Sequence, residues 1–301
     1  MCCFMHNADV PQDIRTRILT AEINHPDLDR ITVIGYQNSV ANKILGPNCM
    51  MLVVKSAEWM GKENMIDFSE HPDVLKQMSQ TFFPPKLSKN ISRDTDWRTM
   101  LIGSAQRPHV ETFEYTKDYT VVTANAPELI PDALLNVREE RRPELNQTMI
   151  DFLQENYAGW HVILFCFEGG RLRKFDAKPV FFWYYPDKSE AQWIRFPALD
   201  AHDGKAPILG EPVWTNHHLF TSWPEMKGGV EMAYNYLPDK LRAFLPQRFV
   251  GSEPSGNFPN GDFGIYKDES ILTDGKFISR DKLLRLGPEG PVEQREAALS
   301  R

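Results

Sequence analysis

The chain never strings together more than a handful of apolar residues, and its longest apolar runs are continuous rather than spaced at helical intervals. They are Cys49–Val54, Val162–Phe167 and Val180–Tyr185. Successive side chains of a strand point to opposite faces, so a strand of this composition is covered on both sides. That requires a sheet held between other layers. The same runs fall far short of the roughly 18 residues needed for a membrane helix.

The first third reads as strands. Ile14, Thr16, Ile18 and Thr20 alternate with Arg15, Arg17 and Leu19, and Ile31–Tyr36 is β-branched. Asn24 and Pro26, Asn38 and Ser39, and Gly46-Pro47-Asn48 supply turns between them. A helix follows, with Pro72 and Asp73 in its first turn, Val74, Leu75, Met78 and Phe82 on one face, and Pro84-Pro85 as its stop. Lys86–Pro108 is polar and aperiodic, a loop or linker. Strands are expected again at Val110–Tyr115 and Tyr119–Ala124, and a second helix from Pro143 to a stop at Gly159. The densest β region comes next, at Trp160–Phe167, Pro179–Tyr185, Gln192–Phe196, Val213–Trp223 and Val230–Tyr236. A short helix at Pro238–Leu245, a Gly/Pro/Asn loop over Gly251–Gly261 and a charged tail from Gly287 complete the chain. Strands outnumber helices and follow one another through short turns. The expected class is therefore α+β, β-rich and mostly antiparallel, sandwich-like with a few short helices. A single domain over residues 1–301 is expected, with a loop or linker at 86–108 and a flexible tail at 287–301.

Charge and cysteine usage narrow the function classes. With 34 Lys and Arg against 41 Asp and Glu, the net charge is −7. A dedicated nucleic-acid binder needs a basic face instead. The N-terminus has neither a basic n-region nor a long apolar stretch, so no secretory signal is read and a cytoplasmic location is expected. Four cysteines in 301 residues do not make a disulfide framework. The expected partner is a small-molecule or peptide ligand, with no nucleic acid and no membrane.

Two of the four cysteines are residues 2 and 3. Removal of Met1 would place the α-amine of Cys2 beside its own thiol. An amine with a pKa near 8 can take the thiol proton, and the thiolate is the nucleophile. Arg15, Arg17, Asn38, Asn42 and Asn48 are the nearest oxyanion donors in sequence. A Cys2-Cys3-Phe4 segment that simply begins a core strand is the plainer reading. Lipid anchoring lacks its basic second signal, because no Lys or Arg precedes Arg15.

The other chemistry-bearing stretch is His202-Asp203-Gly204, followed by Asn216-His217-His218. Cys2, Cys3, His202, Asp203 and His217 would together make a soft ligand set suited to zinc or copper(I), provided the N-terminus packs near residues 202–218. On a strand His217 and His218 point to opposite faces, so only one of them can serve a given site. Asp203-Gly204 equally well makes a hairpin turn. Cys49 and Cys166 lie in apolar strands as inert core residues. Gly169-Gly170 with the basic residues Arg171–Lys174 reads as a turn, not a phosphate loop. Phe181–Tyr185 reads as a buried strand, with an apolar ligand face as the alternative. Arg138–Arg142 is a solvated charge run.

The Met-Cys start is superficially similar to that of N-terminal-nucleophile hydrolases, although Cys3 replaces the Gly of the glutamine amidotransferases and no Asn-Arg-Asp-Glu motif is present. Over most of its length the chain resembles a group of uncharacterised bacterial proteins that open with Met-Cys-Cys-Phe. The shared features are Asn48–Val54, Thr81-Phe82-Phe83-Pro84, Phe196-Pro197, His202-Asp203-Gly204 and His217; the stretch Lys86–Pro108 departs from them. The resemblance implies a cytosolic setting and directs attention to the Cys pair and the His-Asp-Gly stretch. Three readings stay open. One is a hydrolase or amidotransferase-like enzyme with Cys2 as nucleophile on an amide or thioester, assisted by His202 or His217. The second is a metal or thiol-redox protein built on Cys2, Cys3, His202, Asp203 and His217. The third is a non-catalytic interaction domain.

Overall fold

The structure, a computed structural model, describes residues 2–3, 16–38, 46–83, 107–169, 177–201 and 205–292. In chain order the first strands are β1 (Cys2–Cys3), β2 (Thr16–His25), β3 (Asp29–Asn38), β4 (Gly46–Val54), β5 (Val110–Glu114), β6 (Thr120–Ala124) and β7 (His161–Gly169). β8 (Val180–Tyr184), β9 (Trp193–Phe196), β10 (Asp200–Ala201), β11 (Pro212–Ser222), β12 (Val230–Glu231) and β13 (Arg248–Ser252) follow. The last are β14 (Ser255–Pro259), β15 (Asp262–Tyr266), β16 (Leu272–Thr273), β17 (Phe277–Ile278), β18 (Leu284–Gly287) and β19 (Gly290–Pro291). Among the described residues four α-helices interrupt them: α1 (Val74–Phe82), α2 (Ile130–Leu134), α3 (Gln147–Asn156) and α4 (Asp239–Arg242). The class is α+β and β-rich, with mostly antiparallel sheets.

The largest sheet runs β16-β17-β13-β11-β2-β3-β8, with β12 beside β13 and β14 beside β11. β2 and β3 form its long hairpin, paired from Thr16↔Asn38 to His25↔Asp29. On its other edge β2 runs parallel to β11, from His217↔Thr16 to Ser222↔Ala21. A second sheet, β4-β7-β6-β5, is antiparallel throughout, and a third runs β19-β18-β15-β9.

Three apolar clusters stack these elements into layers. Ile18, Ile34, Phe182 and Leu219 of the large sheet meet Met50, Leu52, Ile163 and Phe165 of the second and Phe196, Phe263 and Ile265 of the third. The opposite face of the second sheet, with Met51, Val122 and Leu164, is covered by Ile130, Leu134, Met149 and Leu153 of α2 and α3. The opposite face of the large sheet, with Leu19, Val33, Phe181 and Phe220, is covered by Leu75, Met78 and Phe82 of α1 and by Leu241 of α4. The order is helix, sheet, sheet, helix. This is why Cys49–Val54 and Phe181–Trp183 are buried on both faces, as their composition requires.

Several boundaries differ from the sequence reading. Gly251–Gly261 is not a loop: it holds the end of β13 and all of β14. The pairing sums along β11 are continuous, from Leu219↔Ser252 to Asn216↔Ser255. The ladder is interrupted only at Glu253-Pro254, where the Pro254 carbonyl accepts the His217 amide at 3.1 Å but proline has no N–H to return. The alternation Val230-Met232-Tyr234-Tyr236 does not continue as strand, because the chain turns with Leu237 N–H bonded to the Tyr234 carbonyl. α3 starts after Asn146, which caps it, rather than at Pro143. Residues 287–292 are not all tail, since β19 returns onto β18. The rest of that tail, most of the 86–108 stretch and residues 170–176 lie outside the described residues.

Candidate functional site

The N-terminal cysteines are placed by their backbone. β1 runs parallel to β10, with Cys2 opposite Asp200 and Cys3 opposite Ala201. A two-residue strand needs a fixed partner, and β10 is held by side chains. The Asn260 amide mimics a strand neighbour: its Oδ1 accepts the Asp200 N–H at 2.8 Å and its Nδ2 donates to the Asp200 carbonyl at 2.8 Å. Just upstream, Asp262 Oδ1 accepts the N–H groups of Ala198 at 2.9 Å and Leu199 at 3.0 Å. Asp262 in turn faces Arg195 at 3.5 Å, and Arg195 is bonded to Glu190 at 2.7 Å and to the Gly287 carbonyl at 3.0 Å. The seat of Cys2 is therefore a clamped piece of backbone. It runs directly into the His202-Asp203-Gly204 stretch, whose residues lie outside those described.

His217 sits on β11 beside Thr16, with its ring edge-on to Phe263 at 5.9 Å. Phe263 is paired across the third sheet with Arg285, whose guanidinium carbon lies 4.0 Å from the centre of the same ring. Phe263 thus carries the His217 imidazole and the Arg285 guanidinium. Arg285 is 6% exposed, and its Nε, Nη1 and Nη2 have no hydrogen-bond partner among the described residues. Burial pushes its pKa down to about 10, opposed in part by the charges of Asp262 and Asp200. Asp200, one of the charges that Arg285 feels, belongs to the segment that seats Cys2.

Adjacent histidines face opposite layers, as expected of a strand. His218 turns toward α1, where Nδ1 is 3.1 Å from Ser79 Oγ and Nε2 is 3.0 Å from Glu253 Oε1. A serine, a histidine and a carboxylate in line have the outline of a nucleophile, base and orienter. Here the Ser79 hydroxyl also donates to the Leu75 carbonyl at 3.1 Å, from mid-helix, and the residue is 7% exposed. A hydroxyl back-bonded inside a helix and covered by its own layer ties α1 to the sheet.

Among the described residues no group of three or more His, Cys, Asp and Glu side chains could hold a metal ion. Of the oxyanion candidates, Arg17 is bonded to Gln37 at 3.2 Å, and Asn48 is buried with its Oδ1 accepting the Cys49 N–H at 2.8 Å. Asn38 is buried at the end of β3, and Arg15 and Asn42 lie outside the described residues. Cys49 and Cys166 face each other across β4 and β7, buried and unbridged, and burial drives both thiol pKa values up. The sequence reading missed Asp200, Asn260, Asp262 and Arg285. Arg285 had a signal, an arginine inside Leu283-Leu284-Arg285-Leu286; Asn260 stood in the Gly251–Gly261 stretch that reads as loop, and Asp262 directly after it.

The chain matches no protein-family model and no curated protein by sequence. Among solved structures, the crystal structure of baculovirus P35 aligns over 98% of this chain and 100% of that one, at 12% identity and a TM-score of 0.37.

Proposed function

We propose that the protein is a thiol enzyme in which Cys2, exposed by removal of Met1, attacks an amide or thioester carbonyl. The observation that carries this reading is the pairing of Cys2 with Asp200, which fixes the N-terminus against a clamped strand next to His202. A nucleophile works only when held in a near-attack geometry, and a free N-terminus has none. The α-amine of Cys2 takes the Sγ proton. The thiolate then bonds to the carbonyl carbon, and the tetrahedral intermediate expels an amine or thiol, which leaves with the proton held by the ammonium. Water attacks the acyl-cysteine, the C–S bond breaks, and the free acid and Cys2 are released. His202 and His217 are the residues assigned to assist proton transfer.

The test uses intact mass and iodoacetamide at pH 7. The expected result is a mass lacking Met1 and one thiol that reacts far faster than a model cysteine, lost in Cys2→Ser. Cys49 and Cys166 are internal controls, since buried thiols of raised pKa stay unmodified until the protein unfolds. Retention of Met1, or a Cys2 no faster than free cysteine, sinks the reading.

A further inference from the structure

We infer that the Arg285 guanidinium is the receptor for a carboxylate carried by a ligand of this protein, seated between the third sheet and β10. A buried charge is tolerated when it is paired and hydrogen-bonded, and costly when it is not. Arg285 is buried, and none of its three guanidinium nitrogens has a hydrogen-bond partner among the described residues. The contrast with Arg195 in the same sheet is direct. Arg195 is buried to a similar degree but bonds Glu190 through Nε and Nη2 and the Gly287 carbonyl through Nη1. The acids nearest Arg285 reach it only through space. Asp262 spends one oxygen on two backbone amides and turns the other to Arg195. Asp200 is felt at a distance.

The geometry selects the ligand class. The guanidinium carbon lies over the Phe263 ring at 4.0 Å from its centre, a contact that holds the head group in place without using its N–H donors. The N–H fork is left to an outside acceptor, and a planar carboxylate fits a guanidinium fork with two parallel bonds. The site goes beyond the Cys2 chemistry and is read without turnover. If both hold, the acyl compound attacked by Cys2 bears a carboxylate.

Thermal unfolding of the full chain at pH 7 and constant ionic strength tests this, with chloride replaced stepwise by succinate or by inorganic phosphate. The expected result is a midpoint that rises by a few degrees with succinate. Arg285→Met should unfold no earlier than wild type in chloride, because it removes an unpaired charge, and should not respond to succinate. Arg285→Lys, which keeps the charge and loses the fork, should need at least ten-fold more succinate for the same rise. An equal rise in Arg285→Met overturns the inference, as does no rise with succinate. A rise with phosphate alone assigns the site to another anion and overturns it. An Arg285→Met chain that unfolds earlier in chloride, or fails to fold, shows that the guanidinium already has its counter-ion within the chain and overturns it too. An inert Cys2 with a succinate-dependent midpoint would keep this inference and discard the proposed chemistry.

Discussion

At the scale of single residues, His161 makes the clearest demand on solution conditions. It is 1% exposed at the start of β7, and both ring nitrogens lack a hydrogen-bond partner among the described residues. Burial pushes its pKa down from 6.5 to about 4. The unfolded chain therefore binds the proton more readily between those two values. Stability is fully present above pH 6.5 and is lost as the pH falls toward 4. At about 1.4 kcal/mol per pKa unit, the loss is about 3 kcal/mol. Urea denaturation from pH 7.5 to 4 should show that slope, and His161→Phe should remove it; an unchanged slope in the variant would assign the effect elsewhere. Residue chemistry of this kind was only partly legible in the sequence. The opposite facing of His217 and His218 follows from strand periodicity alone. That His218 ties down α1, or that Arg285 lies under Phe263, depends on which elements the fold brings together, which no local pattern records.

At the scale of elements, the sequence is most legible where local and tertiary preferences agree. β4, β7 and β8 are read correctly because an apolar run buried on both faces has no other comfortable conformation. α1 is read correctly because its apolar positions share one face and two prolines follow it. α3 shows how a boundary is lost. Pro143 suits a first turn, but the Asn146 side chain accepts the Thr148 N–H at 3.0 Å, and this cap sets the start. Asn146→Ala should cost about 1 kcal/mol, read from the urea midpoint, while Pro143→Ala should cost much less. Equal costs would mean that the helix is set by packing instead. β14 was illegible for a different reason. Its glycine, asparagine and proline residues argue against a strand, and pairing with β11 overrides them.

At the scale of the whole molecule, the two inner sheets share one core, with Phe165 and Phe182 facing across it at 6.1 Å between ring centres. Phe182→Ala should cost about 3–5 kcal/mol. Because both sheets lose the same contact, tryptophan fluorescence and circular dichroism should shift together in one transition; separate transitions would show that the layers fold apart. The layering was foreseeable from doubly apolar strands, whereas the strand order was not. The parallel pairing of β2 with β11 also governs how the chain is made. The β2–β3 hairpin leaves the ribosome with both edges unsatisfied; β3 waits for β8, and β2 waits longer, for a partner that begins at Pro212. At 5–20 residues per second that wait is on the order of ten seconds or more. For that interval an apolar strand edge is open to any other nascent chain, so yield in a cell depends on what shields it during translation as much as on the stability of the finished fold.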